Sequence, residues 1–297
     1  MNNRGNHAQG TNYNTTSSTD LGREETNGLG NTDHGEQNCS GRLHVQNCDV
    51  KKILSRITFF IIESLEINRK LEGIILRYEI PADKCYRLRA LKDYEIIVIG
   101  DDSGSMNTTV DNTNVTRWDE LRNLLKIIIE FGTIFDPSGV DVFFLNRPQC
   151  TGITDPRGID RLFIDPPSGF TPLAKKSKEV IEFARANIDE TKKVLLFIAT
   201  DGLPTDDKGY PDLNEFTRVI RNEIDHEIIH IMFLLCTDEQ ESVDYLTAFR
   251  TTVPNVHVCD DYETERRRVR HLYGRNSQFT RTDYYIHALV SAITSDH

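Results

Sequence analysis

Long apolar runs are absent from this chain of 297 residues. The best candidate, residues 57–62 (ITFFII), falls far short of the roughly 18 apolar residues that cross a bilayer, so no membrane span is expected. The first residues, MNNRGNHAQG, lack the apolar centre of a secretory signal. C-x-x-C spacing is also missing. The six cysteines, Cys39, Cys48, Cys85, Cys150, Cys236 and Cys259, are scattered and read as reduced thiols of a cytoplasmic protein. The Asn-x-Ser/Thr triplets at Asn14, Asn38, Asn107 and Asn114 therefore carry no meaning as glycosylation sites. Positive charge is short. A formal net charge of -11 repels phosphate at long range and argues against non-specific binding to nucleic acid or acidic lipid. It leaves room for a local acidic site that takes a cation. No internal repeat is visible.

What is present divides into three parts. Residues 1–48 are rich in Asn, Gly, Thr and Ser. With almost no large apolar side chains they cannot offset ordering entropy, and they read as a disordered low-complexity tail. Residues 49–91 read as a helical extension that packs on the main domain, with a partner-binding hairpin as the alternative. Ile53, Leu54, Ile57, Phe60, Ile61 and Leu65 share one face at helical period, and a second amphipathic stretch over 67–79 stops before Pro81. Hydrophobic residues make up 38% of the chain, enough for a core. Residues 92–297 then alternate apolar runs at 94–100, 140–146, 192–200, 227–236 and 255–259 with amphipathic segments. Thr116, with Asp119 three residues on, predicts a capped helix, and others start at Pro172, at Asp212, near Glu239 and at Thr282. Such alternation predicts an α/β fold, a doubly wound, Rossmann-like and mostly parallel sheet with helices on both faces.

The first apolar run ends in Asp101-Asp102-Ser103-Gly104-Ser105. Ligands of open α/β sheets gather at the carboxyl ends of strands, so this turn is a candidate site. The spacing Gly-Asp-Asp-Ser-Gly is not the G-x-S-x-G of a nucleophile elbow. A Ser-His-Asp system would need a histidine that none of the neighbouring strand ends supplies. Oxygen-only donors suit a hard cation instead. Two more oxygen-bearing edges follow: Thr171, in SGFTPLAKK (168–176) before a predicted helix, and Asp201, directly after the run ending in LLFIAT.

D-x-S-G-S-M after a first strand, G-x-T-P-L before a helix and A-T-D-G-x-P after a later strand together resemble the von Willebrand factor A domain family, of the intracellular type. The likeness covers about residues 92–295. It implies a metal-ion-dependent adhesion site built from Asp101, Ser103, Ser105, Thr171 and Asp201. It implies Mg2+ as the cation, with Mn2+ and Ca2+ as alternatives, and a protein partner that offers an acidic side chain to an open metal position. Thr171 has a competing use, because an N-cap spends its oxygen on backbone N–H groups. Asp102 departs from the pattern, since many relatives carry an apolar residue there. It reads either as solvated or as tuning the cation from outside its ligand shell. Met106 and Phe170 read as exposed contacts at the site, with plain loop packing as the alternative, and the loop over 107–116 flanks it.

Two other classes stay open. HEIIH (226–230) matches the H-E-x-x-H of zinc peptidases. That motif works on a helix, and here it enters an apolar run of strand type, where residues i and i+4 stand about 13 Å apart. A metal-assisted hydrolase using Asp101 and Asp201 would need a base or phosphate clamp that is not recognisable. The other class is a scaffold with the same fold and no use for a metal. ERRRVRH (265–271) reads as a solvated helix face, and the acidic runs at 238–242 and 260–265 lack calcium-loop spacing.

Overall fold

The computed structural model describes residues 40–110, 114–237 and 240–294. Most of the stretch read as a tail lies outside these residues. The chain divides into two compact units, residues 1–56 and 57–297. Helix α1 (Ser40–Tyr78) begins in the first unit, inside the stretch read as disordered. It is one continuous helix where the sequence suggested two amphipathic segments, because Asn68, Arg69 and Lys70 are compatible with helix and only Pro81 forbids it.

In the second unit the order is α2 (Ala82–Leu88), β1 (Tyr94–Gly100), α3 (Arg117–Phe135), β2 (Val140–Phe144), β3 (Cys150–Ile153), α4 (Leu173–Asn187), β4 (Lys193–Thr200), α5 (Leu213–Asn222), β5 (Ile229–Leu235), α6 (Gln240–Thr252), β6 (Val256–Cys259), α7 (Tyr262–Tyr273) and α8 (Arg281–Val290). The six strands lie in the order β3-β2-β1-β4-β5-β6, all parallel except β3. This is the doubly wound sheet that the alternation predicts. β3 (CTGI) was not foreseen. As an edge strand it needs no apolar alternation, and it shows none.

The central strands are β-branched and apolar because both of their faces are covered. Ile96 and Val98 of β1, with Phe197 and Leu234, pack under α3 and α8. Ile97 and Ile99, with Leu196 and Phe233, pack under α4, α5 and α6. Burying each such side chain contributes roughly 1.5–3 kcal/mol. α3 starts where the sequence says it should: Thr116 accepts from the Asp119 N–H, and Asp119 answers on the Thr116 N–H.

The end of α1 packs on this core. Leu71 and Ile74 are buried, the Tyr78 ring lies 5.3 Å from Phe131, and Arg77 and Tyr78 both bind Glu130. The upstream face does not pack as expected. Ile57, Phe60, Ile61 and Leu65 are exposed, so their helical periodicity does not mark a surface buried against the sheet domain. Among the described residues no helix is long and apolar enough to cross a membrane.

This difference is testable by urea unfolding followed through Trp118, the single tryptophan. Leu71→Ala is expected to cost about 2–5 kcal/mol through the cavity it leaves, whereas Phe60→Ala is expected to stay within about 0.5 kcal/mol.

Candidate metal centre

Topology sets the site. β1 leads to β2 on one side and β4 leads to β5 on the other, so the gap between the carboxyl ends of β1 and β4 is the switch point of the sheet. Gly100 is in register with Ala199. Asp101 and Asp201 therefore leave adjacent strands at nearly the same level.

Three loops are tied together there. The Ser168 N–H donates to the Asp102 carbonyl at 2.8 Å, and the Gly104 N–H to the Gly169 carbonyl at 3.2 Å. The Thr205 N–H donates to the Thr171 carbonyl, and the Thr171 N–H to Thr205 Oγ1, each at 2.9 Å. Ser105 Oγ donates to Asp201 Oδ1 at 2.8 Å and lies 3.0 Å from Ser103 Oγ. Gly169 has φ +111°, and a Cβ there would fall 2.6 Å from the Asn146 amide, so this bend has room only for glycine. The structure thus brings Asp101, Ser103, Ser105 and Asp201 into one hydrogen-bonded group. Thr171 joins through its backbone. α4 takes Pro172 as its N-cap, so the Thr171 hydroxyl is not the cap of that helix.

Burial makes this group electrostatically tense. Asp101, Ser103 and Asp201 are buried. Asp101 accepts from the Ser103 N–H at 2.9 Å and from Thr200 Oγ1 at 2.7 Å. Loss of water, and then the Asp201 charge, push its carboxyl up to about 7 against the stabilising pull of those donors. Asp201 has a further partner that no motif announces, Arg117, whose guanidinium reaches Asp201 Oδ2 at 3.0 Å with both side chains buried. An arginine in the first turn of a helix opposes the helix dipole; that anomaly was the signal available in the sequence.

Asp102 is fully buried, which removes the solvated reading. Its Oδ1 accepts from the Asn146 backbone and side-chain amides, and its Oδ2 lies 3.2 Å from Arg147 Nε in an ion pair without hydrogen-bond geometry. Desolvation still raises its pKa. Met106 is buried in the core, so its reading as an exposed contact is corrected; Phe170, half exposed, is at the surface. Residues 111–113 of the flanking loop lie outside the described residues.

The chemistry of this donor set fits a hard dication. Two carboxylates and neighbouring hydroxyls meet at a buried spot, where Arg117 offsets one of the two charges. HEIIH does not form a comparable centre. His226 stands in the turn before β5 and bonds the Ile220 carbonyl, while His230 lies within β5 and bonds the Ala292 carbonyl. They do not share a helix.

No family model and no curated protein matches the chain. Solved structures overlap parts of it. The manganese-loaded TRAP protein of Plasmodium vivax is 16% identical, the overlap covering 59% of this chain and 71% of that one at a TM-score of 0.40. Proximal thread matrix protein 1 of the mussel byssus is 18% identical over 48% of this chain and 37% of that one, at 0.34. The pilus adhesin SpaC of Lactobacillus rhamnosus GG is 13% identical over 65% of this chain and 31% of that one, at 0.40. Overlaps this loose carry no function across.

The Asp101 carboxyl yields a pH prediction for the protein in chelator. Its pKa is about 7 folded and about 3.9 unfolded. The folded state therefore holds this proton more tightly over that interval. The contribution is full below about pH 4 and is lost as pH rises through 7. Thermal melting in chelator is expected to drop between about pH 4 and 7, and Asp101→Asn to flatten that limb. An identical slope in both proteins would contradict the assignment.

Proposed function

We propose that this chain is a divalent-cation-dependent protein-binding module of the von Willebrand factor A kind. Asp101, Ser103, Ser105, Thr171 and Asp201 hold the cation, with Mg2+ as the resident ion and Mn2+ or Ca2+ as substitutes. One observation carries the reading. Two buried carboxylates of like charge, surrounded by hydroxyls, sit at the switch point of the sheet, where Ser105 and Asp201 join loops from two strands. When bound, the cation supplies a Lewis-acidic position that can accept a carboxylate from a partner. The residues of the chain do the rest. α4 starts just past Thr171 and presents the positive end of its dipole to an anion. Phe170, Leu203 and Tyr210 are exposed nearby in sequence to the metal loops and offer apolar contact to a protein surface. Cys85, Cys150, Cys236 and Cys259 are free thiols, which suits a cytoplasmic setting.

A second reading, a scaffold that does not use a metal, is favoured by Arg117. Its guanidinium already neutralises Asp201 from inside the protein. Isothermal titration with Mg2+ and Mn2+ separates the two. On the metal reading, Asp101→Ala and Asp201→Ala weaken binding by more than about tenfold. Arg117→Gln is expected to tighten binding several-fold, because the ion no longer competes with a fixed cation, while lowering the stability of the chelator-treated protein. Equal metal affinity in wild type and Asp101→Ala removes the metal reading. Partner capture that survives chelation and Asp201→Ala favours the scaffold.

A further inference from the structure

Away from the loop cluster, metal-ligating side chains meet between the last strand and the last two helices. Cys259 ends β6, Glu265 lies in the first turn of α7 and His287 lies in α8. One ligand atom from each falls within 4.8 Å of the others. Cys259 and Glu265 are buried. His257 stands two residues before Cys259 on β6, so both project from the same face of that strand. Its ring is edge-on to His287 with centroids 5.3 Å apart, and its Nε2 is buried without a hydrogen-bond partner. A buried orphan nitrogen calls for a water or an ion.

We propose that Cys259, Glu265 and His287 form a second metal site, of the zinc class, that pins β6, α7 and α8 together, with His257 as the candidate fourth ligand. The donor types decide the class. Thiolate, imidazole and carboxylate together suit Zn2+ and not Mg2+ or Ca2+.

The surroundings set each ligand up for this role. The Asp260 N–H and Arg268 donate to the same Glu265 oxygen, Oε1, at 3.0 and 2.6 Å, and a carboxylate has a second oxygen to give. Arg268 also pairs with Asp260, so those two charges offset each other. The Cys259 thiolate and Glu265 are left to balance a dication. Ser291 Oγ gives its proton to the His287 carbonyl at 2.6 Å and lies 2.8 Å from His287 Nδ1. This contact holds the His287 ring in place. Burial holds His257 neutral, its pKa lowered to about 3, and raises that of the Cys259 thiol.

The full chain, reduced and titrated with Co2+ as a spectroscopic stand-in for Zn2+, tests this. One equivalent of Co2+ is expected to give a thiolate-to-metal charge-transfer band, bleached by Zn2+. The band is retained in Asp101→Ala, which separates it from the loop cluster. It is lost in Cys259→Ser, and His287→Gln weakens Co2+ binding by about 10–100-fold. Absence of the band in wild type at saturating Co2+ would overturn the proposal, as would its persistence in folded Cys259→Ser or unchanged affinity in His287→Gln. If Cys259→Ser does not fold, His287→Gln decides, since His287 is only partly buried.

Discussion

Repulsion between two buried carboxylates organises this molecule. Asp101 and Asp201 leave neighbouring strands at the same level because β1 and β4 are in register and part company there. Charges that would interact by only about 1 kcal/mol in water interact several-fold more strongly in a protein interior. The structure supports them with donors: the Ser103 N–H and Thr200 hydroxyl on Asp101, and the Ser105 hydroxyl and Arg117 guanidinium on Asp201. Three species can cancel the charge of the pair, namely a proton on Asp101, the Arg117 cation, or a dication between the strands. The first costs the site its function, the second is always present, and the third would give the fold its use. Competition among them is the physical content of the proposed activity.

The loops around this pair are shaped by the need to keep it dry and fixed. Backbone hydrogen bonds tie the Asp102 segment to residues 168 and 169, and Thr171 to Thr205, so none of the three loops closes without the others. Asn146 and Arg147 extend the same network to the end of β2 by holding Asp102. The glycine at 169 passes within reach of Asn146 at a φ that side chains avoid. A change at any of these positions reaches the carboxylate pair through the backbone.

The layout of this fold is readable from residues whose signal is local. The β-branched run at 94–100 announces a strand buried on both faces, and Thr116 with Asp119 announces the start of α3. The approach of three distant loops was inferred from motif order, and Asp101, Ser103, Ser105 and Asp201 do come together. What stayed hidden depends on tertiary packing. Arg117 carries no motif, and the A-T-D-G motif that contains Thr200 does not mark it as a donor to Asp101; both roles exist only once α3 and β4 are laid beside β1. Met106 follows the serines directly, yet the short 3-10 turn over Gly104–Asn107 rotates it into the core. The apolar face at 57–65 has the helical period of a buried surface, but periodicity does not say what covers it. Cys259 and His287 are 28 positions apart by their numbers and share no spacing rule, so only the folded chain shows them as neighbours.

The two clusters differ in donor type, oxygen alone at the switch point and sulfur, nitrogen and one carboxylate at the far edge of the sheet. The central claim concerns the first. Its most direct test is a crystal of the protein soaked with Mn2+ and measured for anomalous scattering. The account predicts one strong peak between Asp101 and Asp201, within about 2.0–2.6 Å of their oxygens or of bridging waters, with the Ser103 and Ser105 hydroxyls turned toward it. A map with no peak there, and with Arg117 still seated on Asp201 at saturating Mn2+, would contradict it.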